Sequence, residues 1–289
     1  MTVYNNNWLL LWIRLLMAYI KFYWLFCTLC FAMTVTATPI RVVSINLCTD
    51  QWLMAFDVNL LDYRVSPLSL DPRYSLITQE VNSQQTIKPE LSAILQFDPE
   101  IVLMGVYSDP YLKKGLKKQG ITLFTVPLTD SIEGMSNRFT QLGELFNQQK
   151  KGNHLKQEFL VTIEKNKRSQ QVKTVLYLAP NGFTHGKHSH FDFVLAQLGW
   201  TNIASQQGIQ GTGYLTIEQI VQTNPDIIII DGDENGRSRA QQFLAHPALK
   251  SWRQHRKTVL IPSALLACQG PRIMQAVDYL KKAVKIDVN

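Results

Sequence analysis

Three histidines crowd into the stretch HGKHSH: His185, His188 and His190. Imidazoles this close could share a metal ion, but metal sites draw three or four Cys, His or carboxylate ligands at set spacings. No acid or cysteine stands beside them at such a spacing. The stretch reads as a polar loop offering His185 and Lys187 to a ligand, and no metal site is expected. Cys48 and Cys268 lack the His/Asn companion pattern of a nucleophile. Asp231 and Asp233 could pair, yet DGDENG has the composition of a hydrophilic turn. The G-x-G of GTGY (211–214) follows no strand and lacks the third glycine of a dinucleotide loop. P-loop, G-x-S-x-G and H-E-x-x-H patterns are absent. No catalytic residue and no resident cofactor are expected.

Elements must hold these residues. The chain has 289 residues, 46% of them hydrophobic and 18% charged, enough to bury a core in one large domain or two smaller ones. IRVVSINL (40–47) is a strand, and TDQWLMAFD a helix that Thr49 or Asp50 can cap. ELSAILQF, EIVLMG, SDPYLKKGLKKQG and ITLFTVPL then alternate helix and strand. Such alternation predicts parallel α/β units, and runs such as IVLM fit strands covered on both faces. Residues 131–171 break the rhythm and read as a helical connector of one or two helices. The alternation restarts with KTVLYLA, and TIEQIVQT, DIIIIDG, HPALKSW and KTVLIPS continue it. PELSAILQFDPEIVLMG (89–105) and LTIEQIVQTNPDIIIIDG (215–232) share one form: helix, Pro plus acid, strand, glycine. The sequence therefore predicts two similar α/β lobes, 38–130 and 172–289, around the connector.

The N-terminus has its own grammar. FYWLFCTLCFAM (22–33) is an apolar run after Lys21, and TVTATP follows with Val35 and Ala37 placed for cleavage. Residues 1–37 read as a secretory signal peptide, and the run is short for a span of about 20 residues. Translation from Met17 would give a leader of ordinary length; an uncleaved anchor is the alternative. Of the four cysteines, only Cys48 and Cys268 lie beyond the leader. An even count in an oxidising compartment invites a disulfide, with two buried free thiols as the alternative. The net charge of +7 is scattered, without a basic run or finger motif, so no nucleic-acid partner is expected.

In open parallel sheets ligands sit beyond the carboxyl ends of the strands. Two facing lobes would bring NLCTD (46–50), SLDPRYS (69–75), GVYSDPY (105–111), PNGFTHGKHSH (180–190), DGDENGR (231–237) and SALLACQGPR (263–272) around one cleft. Their aromatics, hydroxyls, histidines and arginines suit a large polar or anionic ligand.

RVVSINLCTDQWLMA, SPLSLDPRYS, FDPEIVLMG, PNGFTHG, GYLTIEQIVQTNPDIIII, HPAL and ALLACQGPR together resemble the periplasmic substrate-binding proteins of cobalamin and iron–siderophore ABC importers. The resemblance runs over nearly all of residues 40–285. It implies the class III fold: two Rossmann-like lobes with central parallel sheets, joined by a long helix, with modest hinge motion. It implies a monomer that captures a metal chelate in the periplasm, without chemistry on it, and passes it to an inner-membrane permease and its ATPase. The ligand-binding candidates are Asn46, Leu47, Cys48, Arg73, Tyr74, Tyr107, Phe183, His185, Leu265, Leu266 and Arg272. Docking in this family uses one surface Glu per lobe. Glu218 matches in the second lobe; in the first the matching position is Ser92, with Glu90 two residues earlier as the substitute. Trp52, Trp200 and Trp252 read as packing residues, which favours a siderophore or another chelate over cobalamin. Heme is the alternative cargo. A secreted two-lobed α/β enzyme is the alternative of another class, and it would need a catalytic constellation that the sequence does not assemble.

Overall fold

The structure, a computed structural model, describes residues 12, 14–21, 38–128, 131–166, 172–232 and 242–285. The chain divides into two units, Met1–Pro39 and Ile40–Asn289. In the first, residues 14–21 are helical and exposed. The expected apolar run 22–33 and cleavage site at Ala37 lie outside the described residues. Among the described residues no helix is long and apolar enough to cross a membrane.

The second unit holds two parallel sheets. β1 (Ile40–Ser44), β2 (Leu61–Arg64), β3 (Ile101–Gly105) and β4 (Thr122–Val126) form one, in the order β2-β1-β3-β4. β5 (Thr174–Leu178), β7 (Thr201–Asn202), β9 (Ile227–Asp231) and β10 (Lys257–Ile261) form the other, in the order β10-β9-β5-β7. With strands counted along the chain within each sheet, both orders are 2-1-3-4. Helices flank the first sheet: α1 (Leu47–Leu53), α2 (Leu91–Phe97) and α3 (Pro110–Lys118). A small antiparallel sheet pairs β6 (Phe183–His185) with β8 (Thr212–Tyr214). Val102, Leu103 and Met104 of β3 and Ile228, Ile229 and Ile230 of β9 are wholly buried, as strands covered on both faces must be.

The repeated Pro-acid motif has one structural role in both lobes. The Arg41 N–H donates to Glu100 Oε1 at 3.1 Å, and the Thr174 N–H donates to Asp226 Oδ2 at 2.6 Å. In return the Glu100 N–H donates to Arg41 O and the Asp226 N–H to Thr174 O. Each acid thus pins the start of the first strand to the start of the third. The preceding proline disfavours helix at the residue before it and separates helix from strand.

The connector is α4 (Ile132–Leu145) and α5 (Gln149–Asn166), a helical hairpin whose longer arm is α5. The break falls at Asn147, with φ 56°, a left-handed helix ending that Asn tolerates. The arms touch at glycines: a Cβ on Gly152 would lie 2.5 Å from Phe139 O. Phe139 packs on Trp52 and Phe159, with ring centroids 4.9 and 5.8 Å apart. One continuous core includes Val42 and Leu103 of the first sheet, Phe139 and Ile163 of the hairpin, and Val175 and Ile229 of the second sheet. Trp52, Trp200 and Trp252 are buried packing residues.

Candidate ligand-binding cleft

In a 2-1-3-4 parallel sheet the chain leaves the first and third strands in opposite directions, so a crevice opens beyond their carboxyl ends. Both lobes turn this crevice to the same cavity. Asn46 follows β1 and Val106 follows β3; Phe183 follows β5 and Asp231 ends β9. All four line a space of about 740 Å³.

Asn46 is the last extended residue before α1, and its side chain accepts from the N–H groups of Cys48 (3.1 Å) and Thr49 (3.0 Å). It takes the cap expected of Thr49 or Asp50, because the helix begins earlier than the apolar spacing indicates. Thr49 instead donates to Asn46 O and accepts from Ser44 Oγ. A Cβ on Gly105 would lie 2.7 Å from Asn46 Nδ2, so glycine lets β3 end against this cap. Asp50 is buried behind it. Its Oδ2 accepts from the Ser66 N–H (3.1 Å), Ser66 Oγ (2.5 Å) and Ser69 Oγ (2.7 Å). Burial pushes the carboxyl up to about 7 against these donors. The network ties α1 to the loop that carries Leu68 and Tyr74 to the cavity.

Cys48 and Cys268 are disulfide-bonded, with Cα atoms 5.1 Å apart, and both line the cavity. The bond joins the lobes at the cavity wall.

The second lobe supplies an aromatic wall. Tyr177 packs on His185 and Phe191 at 4.8 and 5.0 Å, and His185 packs on Phe183 and His190 at 5.2 and 4.5 Å. Burial lowers His185 to about 3, helped by His190, and lowers His190 to about 4. Both rings are neutral at pH 7. Burial and then the charge of the neighbouring Asp231 carboxylate raise Tyr177 well above its ordinary range.

Of the residues expected at the site, Asn46, Leu47, Cys48, Tyr74, Tyr107, Phe183, His185 and Leu266 line the cavity. Arg73, Leu265 and Arg272 do not. Arg73 is three-quarters exposed and pairs with Asp71 at 2.6 Å; Arg272 pairs with Glu80 at 2.7 Å; Leu265 packs against the core. Each arginine pairs with a carboxylate outside the lining, and the Arg73 guanidinium also lies 5.3 Å from the ring centroid of the lining Tyr74. Lys187 is exposed, outside the lining, in a bridge to Gln210. Ser108, Asp109 and Asp231 also line the cavity, from loops expected around the cleft though not among the named ligand contacts, and Tyr177 and Leu128 line it from outside those loops. Asp231 did carry a signal, as the terminal acid of an apolar third strand; Tyr177, inside KTVLYLA, carried none. Among the described residues no group of three His, Cys, Asp or Glu could hold a metal ion.

Glu218 lies exposed in the first turn of the helix Ile217–Val221, where Thr216 and Gln219 form a capping box. Glu90 is exposed at the N-terminus of α2. The two helices precede the third strands of their sheets; Glu218 is the second residue of its helix, the place Ser92 takes in α2, and Glu90 is the N-cap residue two positions earlier.

Two lobes of one topology, turned toward a shared cavity, define a bilobal α/β binding-protein fold. Residues 42–258 match the family described as periplasmic binding protein, and the chain belongs to that family. The chain is 23% identical over 269 residues to an uncharacterized ABC transporter substrate-binding lipoprotein, YvrC, of Bacillus subtilis, covering 88% of this chain and 82% of that protein. Among solved structures it is similar to a periplasmic heme-binding protein from Pseudomonas aeruginosa, with TM-score 0.70, 18% identity, and 87% and 95% of the two chains covered. It is also similar to the periplasmic vitamin B12 binding protein BtuF of Vibrio cholerae, with TM-score 0.63, 19% identity, and coverages of 85% and 96%. At these identities the solved structures share the class III fold with this chain.

Proposed function

We propose that this chain is the solute-binding component of an ABC importer, and that it captures a bulky metal chelate, a corrinoid or a ferric siderophore, in the inter-lobe cleft. The observation that carries this reading is the cavity of about 740 Å³ at the paired switch points of both lobes, with the exposed Tyr74 and Tyr107 in its lining. Flat aromatic surface with few polar groups is what a bulky ligand needs. The B12-binding relative supports the chelate class, and the ABC transporter name of the Bacillus relative supports import. Heme is the second reading, favoured by the heme-binding relative.

In this reading residues 1–37 direct export and are removed, and the monomer works in the periplasm. Lobes 38–130 and 172–289 move modestly about the connector 131–171, within the limit set by the disulfide. Glu218 and Glu90 orient the loaded protein on an inner-membrane permease, which its ATPase drives; surface charges of this kind contribute more to orientation and encounter than to affinity. The cargo is released unchanged.

Thermal unfolding of the purified protein with cyanocobalamin, hemin and a set of ferric siderophores tests the reading. A cognate ligand at a hundred times its Kd adds about 2.7 kcal/mol and raises Tm. No rise with any of them contradicts it.

A further inference from the structure

The charges of the described cavity lining are of one sign. Among the described lining residues Asp109 and Asp231 are the carboxylates, and no lysine or arginine is present. Of the described arginines near it, Arg73 pairs with Asp71 and lies over the Tyr74 ring at 5.3 Å, and Arg272 pairs with Glu80. His185, the lining imidazole, is packed among Tyr177, Phe183 and His190 and carries no charge at neutral pH. Asp109 is exposed and spends one oxygen on the Tyr111 N–H at 2.7 Å. Asp231 is different. It ends β9 at the switch point, beside Tyr177, and its Oδ1 is cut off from solvent with no hydrogen-bond partner among the described residues.

We propose that the cleft selects a neutral or cationic ligand, and that Asp231 receives that ligand's hydrogen-bond donors: an amide N–H, an ammonium group or the edge of a cationic chelate. The proposal rests on the reading of the cleft as a ligand site. A buried acceptor without a partner is costly, and a ligand donor removes that cost on binding. An anionic ligand meets the opposite situation. It would lose its hydration beside a carboxylate of like charge, with no cation in the described wall to compensate. Chelates bearing primary amides, or hydroxamates of zero or positive charge, fit this wall. Catecholate chelates and the carboxylate edge of heme do not. This narrows the expectation of a large polar or anionic ligand, drawn from the residues of the cleft loops, to its polar alternative.

Titration by intrinsic fluorescence, at fixed moderate salt, tests the inference with cyanocobalamin and ferrichrome as neutral probes, ferrioxamine B as the cationic probe, and ferric enterobactin and hemin as anionic probes. The best neutral or cationic probe is expected to bind at least about ten-fold tighter than either anionic probe. Asp231→Asn is expected to weaken that probe about ten-fold and to narrow its margin over the anionic ones. The probe ranking is read on the unaltered protein and stands whether or not the variant folds. Tighter binding of hemin or ferric enterobactin overturns the charge selection and leaves chelate capture intact. Unchanged affinity in a folded Asp231→Asn protein overturns the role of Asp231. Binding by none of the probes overturns both the selection and the reading beneath it.

Discussion

Cys48 and Cys268 lie 220 residues apart in the sequence and 5.1 Å apart between Cα atoms, bonded from one lobe to the other. Closing so long a loop removes much freedom from the unfolded chain, about 5 kcal/mol in the chain-entropy account, and native disulfides realise roughly 2–5 kcal/mol. Reduction is expected to lower Tm by about 10 °C, at roughly 2–4 °C per kcal/mol. Thermal melts with and without reductant check this, and the Cys48→Ser, Cys268→Ser double variant is expected to melt low and ignore the reductant.

Asp50 sets a pH dependence of its own. Burial raises its carboxyl from 3.8 to about 7, so the folded protein keeps a proton that the unfolded chain releases. Its contribution is complete below about pH 4 and is lost as pH rises through 7, at up to about 1.4 kcal/mol per pH unit. Asp50→Asn retains an acceptor for Ser66 and Ser69 and is expected to be more stable than the native protein above pH 7. Asp50→Ala leaves three donors unpaired and is expected to cost about 2–3 kcal/mol at pH 5. Urea unfolding at pH 5 and pH 8 separates the two.

His185 and His190 act with the opposite sign. Burial lowers them from 6.5 to about 3 and about 4. The unfolded chain takes up protons below pH 6.5 that the folded chain refuses, so their contribution is full above pH 6.5 and is lost as pH falls toward 4. Between pH 6.5 and 4 Asp50 offsets part of this loss. Asp50→Asn is therefore expected to lose stability more steeply on acidification than the native protein, and His190→Gln less steeply. Denaturant midpoints across that range give the slopes.

The hairpin between the lobes depends on close backbone approach. A Cβ at position 152 would sit 2.5 Å from Phe139 O and 3.0 Å from Gly143 Cα. Gly152→Ala favours the helix by about 1 kcal/mol in isolation, yet it is expected to destabilise the protein by about 1–3 kcal/mol through overpacking. A lower urea midpoint is the expected result.

Much of this architecture was legible because it rests on periodicity and on a local motif. The runs IVLM and IIII announce doubly covered strands, and Glu100 and Asp226 follow prolines at matching points of both lobes. The cleft loops followed from topology, and Asn46, Tyr107 and Phe183 sit where strand ends place them. Pairings across the fold were not legible. Glu80 claims Arg272 from 192 residues away, and nothing local to SALLACQGPR announces it. Asp50 reads as a helix cap until the buried Ser66 and Ser69 are seen to surround it. GFTHG and GTGY read as loop and turn because two strands of three residues, set among glycines, show no period.

Native mass spectrometry of the protein recovered from its own cells tests chelate capture most directly. The account predicts one intact metal chelate per chain, unaltered in mass, and its loss when Tyr107 and Phe183 are both changed to alanine in a chain that still folds. A protein that carries no chelate, or one whose chelate survives the double substitution, would contradict it.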